Sequence, residues 1–421
     1  VTQDAARPLR EEALRLFGAG LAAADPAPAV RAALSDRPAL AGPGGRVFVI
    51  AAGKASCVMT RAALDAGVRP FQTLVIAPHA AAAPSPDAQL ITAGHPVPDA
   101  GSFAAGEAVC DLLDGARAGD LVLALISGGA SALMISPAGD LTLDDKARVN
   151  AALLRSGADI HAVNAVRQQL SRLKGGGFVR LAAPARVRAL IVSDVIGGDE
   201  RVIASGLTAR ALTDRAGAAA ILRRHGVWKD APEAVRRLLS SREEAASPAP
   251  EADNAIILSN RTCLEAMARA APGARIVCDH LTGDVADAAR FVGETARAAP
   301  AEAGVFLFGG ETTVRVSGAG LGGRNQELAL RTALMLEGLG RPFAFLSGGT
   351  DGKDGPTDAA GGLTDAGAPE RIRAAGGDPE ALLADNDSFR ALALSGDLVR
   401  TGATGFNAAD LQVLVLGPGG A

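Results

Sequence analysis

Tyrosine is absent from this 421-residue chain, tryptophan occurs once and phenylalanine twelve times. So few aromatic rings exclude a stacking platform for nucleic-acid bases. An excess of positive charge is also missing. The 42 Lys and Arg face 46 Asp and Glu, and the net charge of −4 offers no field for nucleic acid or an anionic membrane. Long hydrophobic runs are lacking too: clean apolar stretches such as LVLALI at 121–126 are strand-sized, far short of the roughly 18 residues of a membrane span. The four cysteines (Cys57, Cys110, Cys263, Cys278) are scattered without a CxxC pair, which favours buried free thiols over disulfides or zinc. The five histidines (His79, His95, His161, His225, His280) show no HxxxH or HExxH spacing, and no GxSxG elbow occurs. The N-terminal segment carries acids early and has no apolar h-region, so no signal peptide is expected and the cytoplasm is the expected compartment.

Lysine is scarce as well. Only five of the 42 basic residues are lysine: Lys54, Lys146, Lys174, Lys229 and Lys353. Where arginine serves almost everywhere, a retained lysine points to a position that needs a compact point charge rather than a planar fork. Three of the five lie beside glycines, in GK at 53–54, KGGG at 174–177 and DGKDG at 351–355.

The composition, 48% hydrophobic and 21% charged, is that of an ordinary globular protein, and the length suits two or three domains of roughly 150 residues. A helix is expected over 9–23, followed by a repeating strand–turn–helix order. Strands are read within 46–56, running into Gly53-Lys54, at 71–79, within 121–133, ending in a Gly-Gly turn, and within 187–199, with an acidic exit, and helices at 55–66, 101–116 and within 144–173. Continuous apolar strands alternating with helices predict a mainly parallel sheet covered on both faces. Residues 240–253 (SSREEAASPAPEAD) are charged, Pro-rich and aperiodic, and read as a linker. A second α/β set follows, with strands at 254–260, 274–279, 304–318, 341–352 and 411–417 and helices at 260–271, 283–299 and 324–339. The expected architecture is two α/β domains, 1–240 and 254–421. Ligands in such sheets bind outside the C-terminal ends of the strands, where this chain places its glycines and acids.

Four motifs carry chemistry. SGGAS (Ser127, Gly128, Gly129, Ala130, Ser131) follows an apolar strand, so its amides can approach an anion and its two serines add hydroxyl donors. SGGTDGKDGPTD (347–358) begins alike and clusters Asp351, Asp354 and Asp358, acids suited to Mg²⁺ or to hydroxyl contacts. Gly53-Lys54 is no P-loop, because Phe48 and Ala55 stand where glycine and Ser or Thr are required. A lysine at a strand end can still reach a phosphate. GAGLGG (318–323) matches GxGxxG formally and precedes a helix. The strand-terminal acid roughly 20 residues on is missing, however, since Glu337 falls within the helix, and GGE (309–311) splits the preceding strand as in a hairpin. The alternative places Arg324 and Asn325, at the helix N-terminus, against an anionic ligand.

Taken in order, AAGKAS (51–56), GHPVPDAGS (94–102), LISGGASAL (125–133), NAVRQQLSRLKGGG (164–177), SDVIGGD (193–199), IASGLT (203–208), GGETTV (309–314), GGRNQELAL (322–330) and GGTDGKDGPTDAAGG (348–362) resemble the class II glycerate kinases, the family with the MOFRL domain. The resemblance implies two α/β domains, the first Rossmann-like, with an active-site cleft between them. It also implies phosphorylation of D-glycerate by ATP with Mg²⁺ or another divalent cation, typically to 2-phosphoglycerate. The family's essential lysine matches Lys54 and its essential arginine matches Arg324. Phosphoryl transfer is largely positioning and charge neutralisation. Lys54 and Arg324 would supply cations, SGGAS amides, and Asp194, Glu311 or Asp351 the metal-holding or proton-accepting carboxylate. Arg167 or Lys174 would meet the substrate carboxylate. The sequence departs from the family at Leu207, usually proline, and at Ala403 and Phe406, near the expected substrate. Some relatives have been called hydroxypyruvate reductases, so an NAD(P)H-dependent oxidoreductase is the alternative. No nucleic-acid or membrane partner is expected, and a homodimer is left open.

Overall fold

The computed structural model describes residues 3–241 and 251–419. Most of the linker expected over 240–253 lies outside these residues. Among the described residues no helix is long and apolar enough to cross a membrane. The chain forms two compact units, one of residues 26–193 and 198–257, the other of 1–25, 194–197 and 258–421.

The first unit is built on β1 (Val47–Ala52), β2 (Gln72–Pro78), β3 (Ala88–Ala93), β4 (Leu121–Ile126), β5 (Arg186–Val192) and β6 (Asp253–Leu258). Their order is β3-β2-β1-β4-β5-β6. The pairs β1–β2, β1–β4, β2–β3 and β4–β5 are parallel, as the apolar runs predict. The central strands are those with no polar interruption, and every residue of LVLALI in β4 is buried. The helices Ser56–Asp65 and Ala100–Asp114 provide crossovers, the second started by an Asp99–Ser102 capping box. The helices Leu143–Arg155, Ile160–Gln169, Arg215–Arg224 and Glu233–Ser240 add a satellite core around Val149, Leu153, Val166, Leu222 and Leu239. This strand order is the Rossmann order, and its direction reverses between β1 and β4, so a crevice opens beyond their C-terminal ends. Those ends lie side by side, with Ala52 opposite Ile126.

The second unit contains β7 (Arg275–Cys278), β8 (Gly283–Asp284), β9 (Gly304–Gly310), β10 (Thr312–Thr313), β11 (Phe343–Gly349), β12 (Gly361–Asp365), β13 (Leu398–Val399) and β14 (Asp410–Leu416). Strands β8 and β10 form a separate pair, and the main sheet runs β13-β12-β11-β14-β9-β7. It is antiparallel except for β7–β9. The helices Val285–Ala298 and Arg324–Met335 pack a core of Val292, Phe306, Phe308, Leu328, Phe343, Phe345 and Leu414. The first helix, Gln3–Ala24, belongs to this unit rather than to the 1–240 stretch in which the sequence placed it. A methyl on Gly348 would lie 2.7 Å from the Phe17 ring, and one on Gly20 2.6 Å from Leu411, so bare backbone is what admits the helix. Arg10 and Arg371 then lock it through the buried acids Asp365 and Asp397.

Candidate active site

In the first unit the switch point is built from the exits of β1 and β4. Lys54 N donates to Gly128 O at 2.9 Å, Ala55 N to Ser127 Oγ at 3.1 Å and Ser127 N to Ala52 O at 3.0 Å. These bonds seat the Gly-Lys turn against SGGAS and bring Lys54 and residues 127–131 together. Gly129 takes φ of 89°, and a methyl there would press 2.9 Å from His95 Cδ2 and 3.5 Å from Lys54 Cγ. Only glycine suits both constraints. Partial burial, and then the Lys54 charge, lower the pKa of His95, so its imidazole stays neutral beside the lysine. No carboxylate among the described residues forms an ion pair with Lys54, which keeps its charge available to an anion.

Behind this loop sit Lys174, Lys146 and Arg167. Lys174 is 5% exposed, and its Nζ reaches Ser131 O at 3.0 Å and Ser131 Oγ at 2.8 Å. Burial, reinforced by Lys146 and Arg167, drives its pKa well below the ordinary lysine value. Lys146 turns its amine inward onto Leu170 O at 2.6 Å, and burial with Arg167 nearby pushes it down to about 7. Arg167 donates to Asn150 Oδ1 at 2.7 Å. Lys174 is thus packed into the interior, while Arg167 is half-buried.

In the second unit Arg324 is clamped by acids. Its Nε and Nη2 grip the two oxygens of Asp410 at 2.5 and 2.9 Å, and Nη1 lies 3.0 Å from Glu311 Oε1. Asp410 is 1% exposed and stands at the start of β14. Burial opposes the arginine's charge, but the hydrogen bonds and charge of Asp410, with Glu311, outweigh it and hold its pKa above the ordinary value. The Glu311 carboxyl is pushed up, by partial burial first and by Asp410, Asp194 and Asp351 besides, against the pull of Arg324. Glu311, Asp194 and Asp351 therefore share one electrostatic neighbourhood. The acids of the 347–358 loop diverge: Asp358 pairs with Arg400, and Asp354 is buried.

The N-terminus of helix Arg324–Met335 already holds an anion of its own. Asp354 accepts from Asn325 N at 3.1 Å and Gln326 N at 2.8 Å, and burial raises its pKa. Asn325 is 1% exposed and accepts from Ser347 Oγ at 2.6 Å, so it buttresses the helix start. The GAGLGG glycines allow close packing: methyls on Gly318 and Gly320 would lie 2.3 and 2.4 Å from Asp385 and Asp387. Three of the loop's amides go to side chains, Gly318 N to Asn386 Oδ1, Ala319 N to Asp385 Oδ1 and Leu321 N to Asp387 Oδ1, and Gly320 N donates to Asp385 O. The preceding β9 is an interior strand between β14 and β7, not a hairpin arm. Asp410 was missed in the sequence because its partner lies 86 residues away, and Asp354, read there as suited to Mg²⁺ or hydroxyl contacts, instead serves the helix amides of residues 325 and 326. An acid heading the apolar LQVLVLG strand was the available signal for Asp410.

A doubly wound sheet with a lysine and a glycine turn at its switch point, in one chain with an acid-clamped arginine, is an α/β arrangement suited to meeting an anion. A family model described as a domain of unknown function (DUF4147) matches residues 12–240, and the MOFRL family model matches 304–410. A D-glycerate 2-kinase from Thermotoga maritima is 37% identical over 87% of this chain and 90% of its own length. A protein carrying the provisional name hydroxypyruvate reductase, from Agrobacterium vitis, is 40% identical over 97% of this chain and 94% of its own. The crystal structure of a glycerate kinase from Thermotoga maritima superposes with a TM-score of 0.89 at 34% identity, covering 97% of this chain and all of that one. The chain belongs to the glycerate kinase family.

Proposed function

We propose that this protein transfers the γ-phosphoryl group of ATP to the 2-hydroxyl of D-glycerate, giving 2-phosphoglycerate. The observation that carries the reading is the likeness to a glycerate kinase over 97% of the chain. Lys54 places a point charge on phosphate oxygens at the switch point, and the 127–131 loop supplies amides to them. Arg324, pre-oriented by Asp410, meets charge as it spreads in the transition state. Glu311 is the proton acceptor, since a carboxyl pushed above its usual range is better matched to taking a hydroxyl proton.

Among the described residues no three His, Cys, Asp or Glu are grouped to hold a metal, and both oxygens of Asp410 already serve Arg324. That donor set suits Mg²⁺ arriving with the nucleotide, held by one or two carboxylates and by phosphate oxygens. Asp194 and Asp351 are the residues for it. When bound, the ion neutralises phosphate charge.

The reductase reading lacks its cofactor site. A Rossmann sheet places the glycine fingerprint after β1, and here that turn is AAGKAS, while GAGLGG is packed onto 385–388. Purified protein given D-glycerate, ATP and Mg²⁺ should release ADP, and given hydroxypyruvate and NADH should leave NADH unchanged. The opposite pair of results would replace the kinase by a reductase.

A further inference from the structure

The hydrogen bonds around Ser131 run in one direction. Ser205 Oγ donates to Asn164 Oδ1 at 3.0 Å, which uses its single hydroxyl proton. Toward Ser131 Oγ, 2.9 Å away, Ser205 must therefore accept, and Ser131 in turn uses its own proton inward. Ser131 Oγ then accepts from Lys174 Nζ at 2.8 Å, while the same amine donates to Ser131 O at 3.0 Å. The chain Lys174→Ser131→Ser205→Asn164 is complete, and the Ser131 hydroxyl has no proton left for a phosphate, contrary to the donor role read from SGGAS.

The far end of the chain is held at a cost. Ala204 and Ser205 adopt φ of 49° and 58°, left-handed conformations that residues with a Cβ avoid. They are kept there by Gly175 N and Gln168 Nε2, which both donate to Ser205 O at 3.2 Å. In this conformation the Ser205 hydroxyl lies 2.9 Å from Ser131 Oγ.

We propose that Lys174 is a positioning residue for the phosphate loop, fixing Ser131 from the interior and, through Ser131 and Ser205, tying residues 127–131 to the turn at 203–206. The proposal rests on the kinase reading and goes beyond it, because it removes Lys174 from contact with the substrate. The charge state agrees with the geometry. Burial and the cations Lys146 and Arg167 favour the neutral amine, which carries two N–H groups, and the two oxygens of Ser131 take both.

The test measures ATP affinity by titration calorimetry, and D-glycerate KM by ADP release, for the wild type, Lys174→Met, Ser205→Ala and the double variant. Each single change should weaken ATP binding on the order of tenfold, the scale of one buried hydrogen bond lost. The KM for D-glycerate should stay unchanged, and the double variant should be no weaker than the weaker single one, because both cut one chain. Ser205→Ala keeps the lysine in place and decides the matter if Lys174→Met does not fold. Unchanged ATP affinity in the variants would overturn the proposal. So would a raised D-glycerate KM with ATP affinity intact, which would return Lys174 to the substrate carboxylate. A wild type that binds no ATP would remove the kinase reading, and this proposal with it.

Discussion

Replacing Arg324 by alanine should cost both activity and stability, and a second substitution should separate the two. The change removes the paired bonds to Asp410 at 2.5 and 2.9 Å and the contact with Glu311 at 3.0 Å. Asp410, 1% exposed, is left as a buried carboxylate without its cation. Breaking a buried pair from one side costs about 3–5 kcal/mol. The arginine side chain is itself 30% exposed, which places this pair at or below that range, at about 2–3 kcal/mol. In a unit of this size that lowers Tm by roughly 5–10 °C. Loss of one strong electrostatic contact with the transition state should lower kcat by on the order of 10²–10³. Arg324→Lys should recover only part of either, since a point charge cannot span both Asp410 oxygens. Adding Asp410→Asn to Arg324→Ala removes the orphaned charge, so most of the Tm should return while kcat stays low. Differential scanning fluorimetry and ADP release read the two effects. A double variant with wild-type kcat, or an alanine variant with wild-type Tm, would refute the reasoning.

Lys54→Met should lower kcat/KM for ATP by on the order of 10²-fold or more and leave Tm within a few degrees, because no ion pair among the described residues is broken; steady-state kinetics and a melt check both. Gly129→Ala should impair ATP binding in the same titration, since the methyl must accept φ of 89° and crowd His95 at 2.9 Å. Asp120, gripped by Arg46 at 2.6 Å, has its pKa held down to about 2, chiefly by that hydrogen bond. Its contribution to stability is complete above the unfolded value of about 3.9 and is lost as pH falls toward 2. Asp120→Asn should therefore lower stability at pH 7 and flatten the loss of stability between about pH 4 and 2 in acid titrations.

What was legible in the sequence is what continuous patterns encode. Buried strands such as β1 and β4 announce themselves as apolar runs, and Lys54 with Ser127–Ser131 could be placed because each directly follows one. Strand β3 was missed because an edge strand is buried on fewer sides, and AQLITA has only its end residues fully covered. Strand β12 was missed because GGLTD reads as a turn. Its glycines are there for close pairing, and a methyl on Gly361 would meet Ser347 O at 1.9 Å. The antiparallel order of the second sheet, the docking of the first helix and the Asp410 clamp on Arg324 all join segments distant along the chain. Local periodicity holds no trace of such pairings. Asn325 was placed with Arg324 against an anionic ligand because a helix N-terminus favours an anion, and the anion on its amide is Asp354, supplied by the protein itself.

The central claim is that this chain places a phosphoryl group on the secondary hydroxyl of D-glycerate. Phosphorus-31 NMR of a reaction holding only protein, ATP, Mg²⁺ and D-glycerate tests it at the bond formed. A phosphate ester split into a doublet by the single C2 proton, growing with ADP, is the predicted result. A triplet from the C3 methylene would move the transfer to the primary hydroxyl, and the absence of any new ester signal would contradict the account.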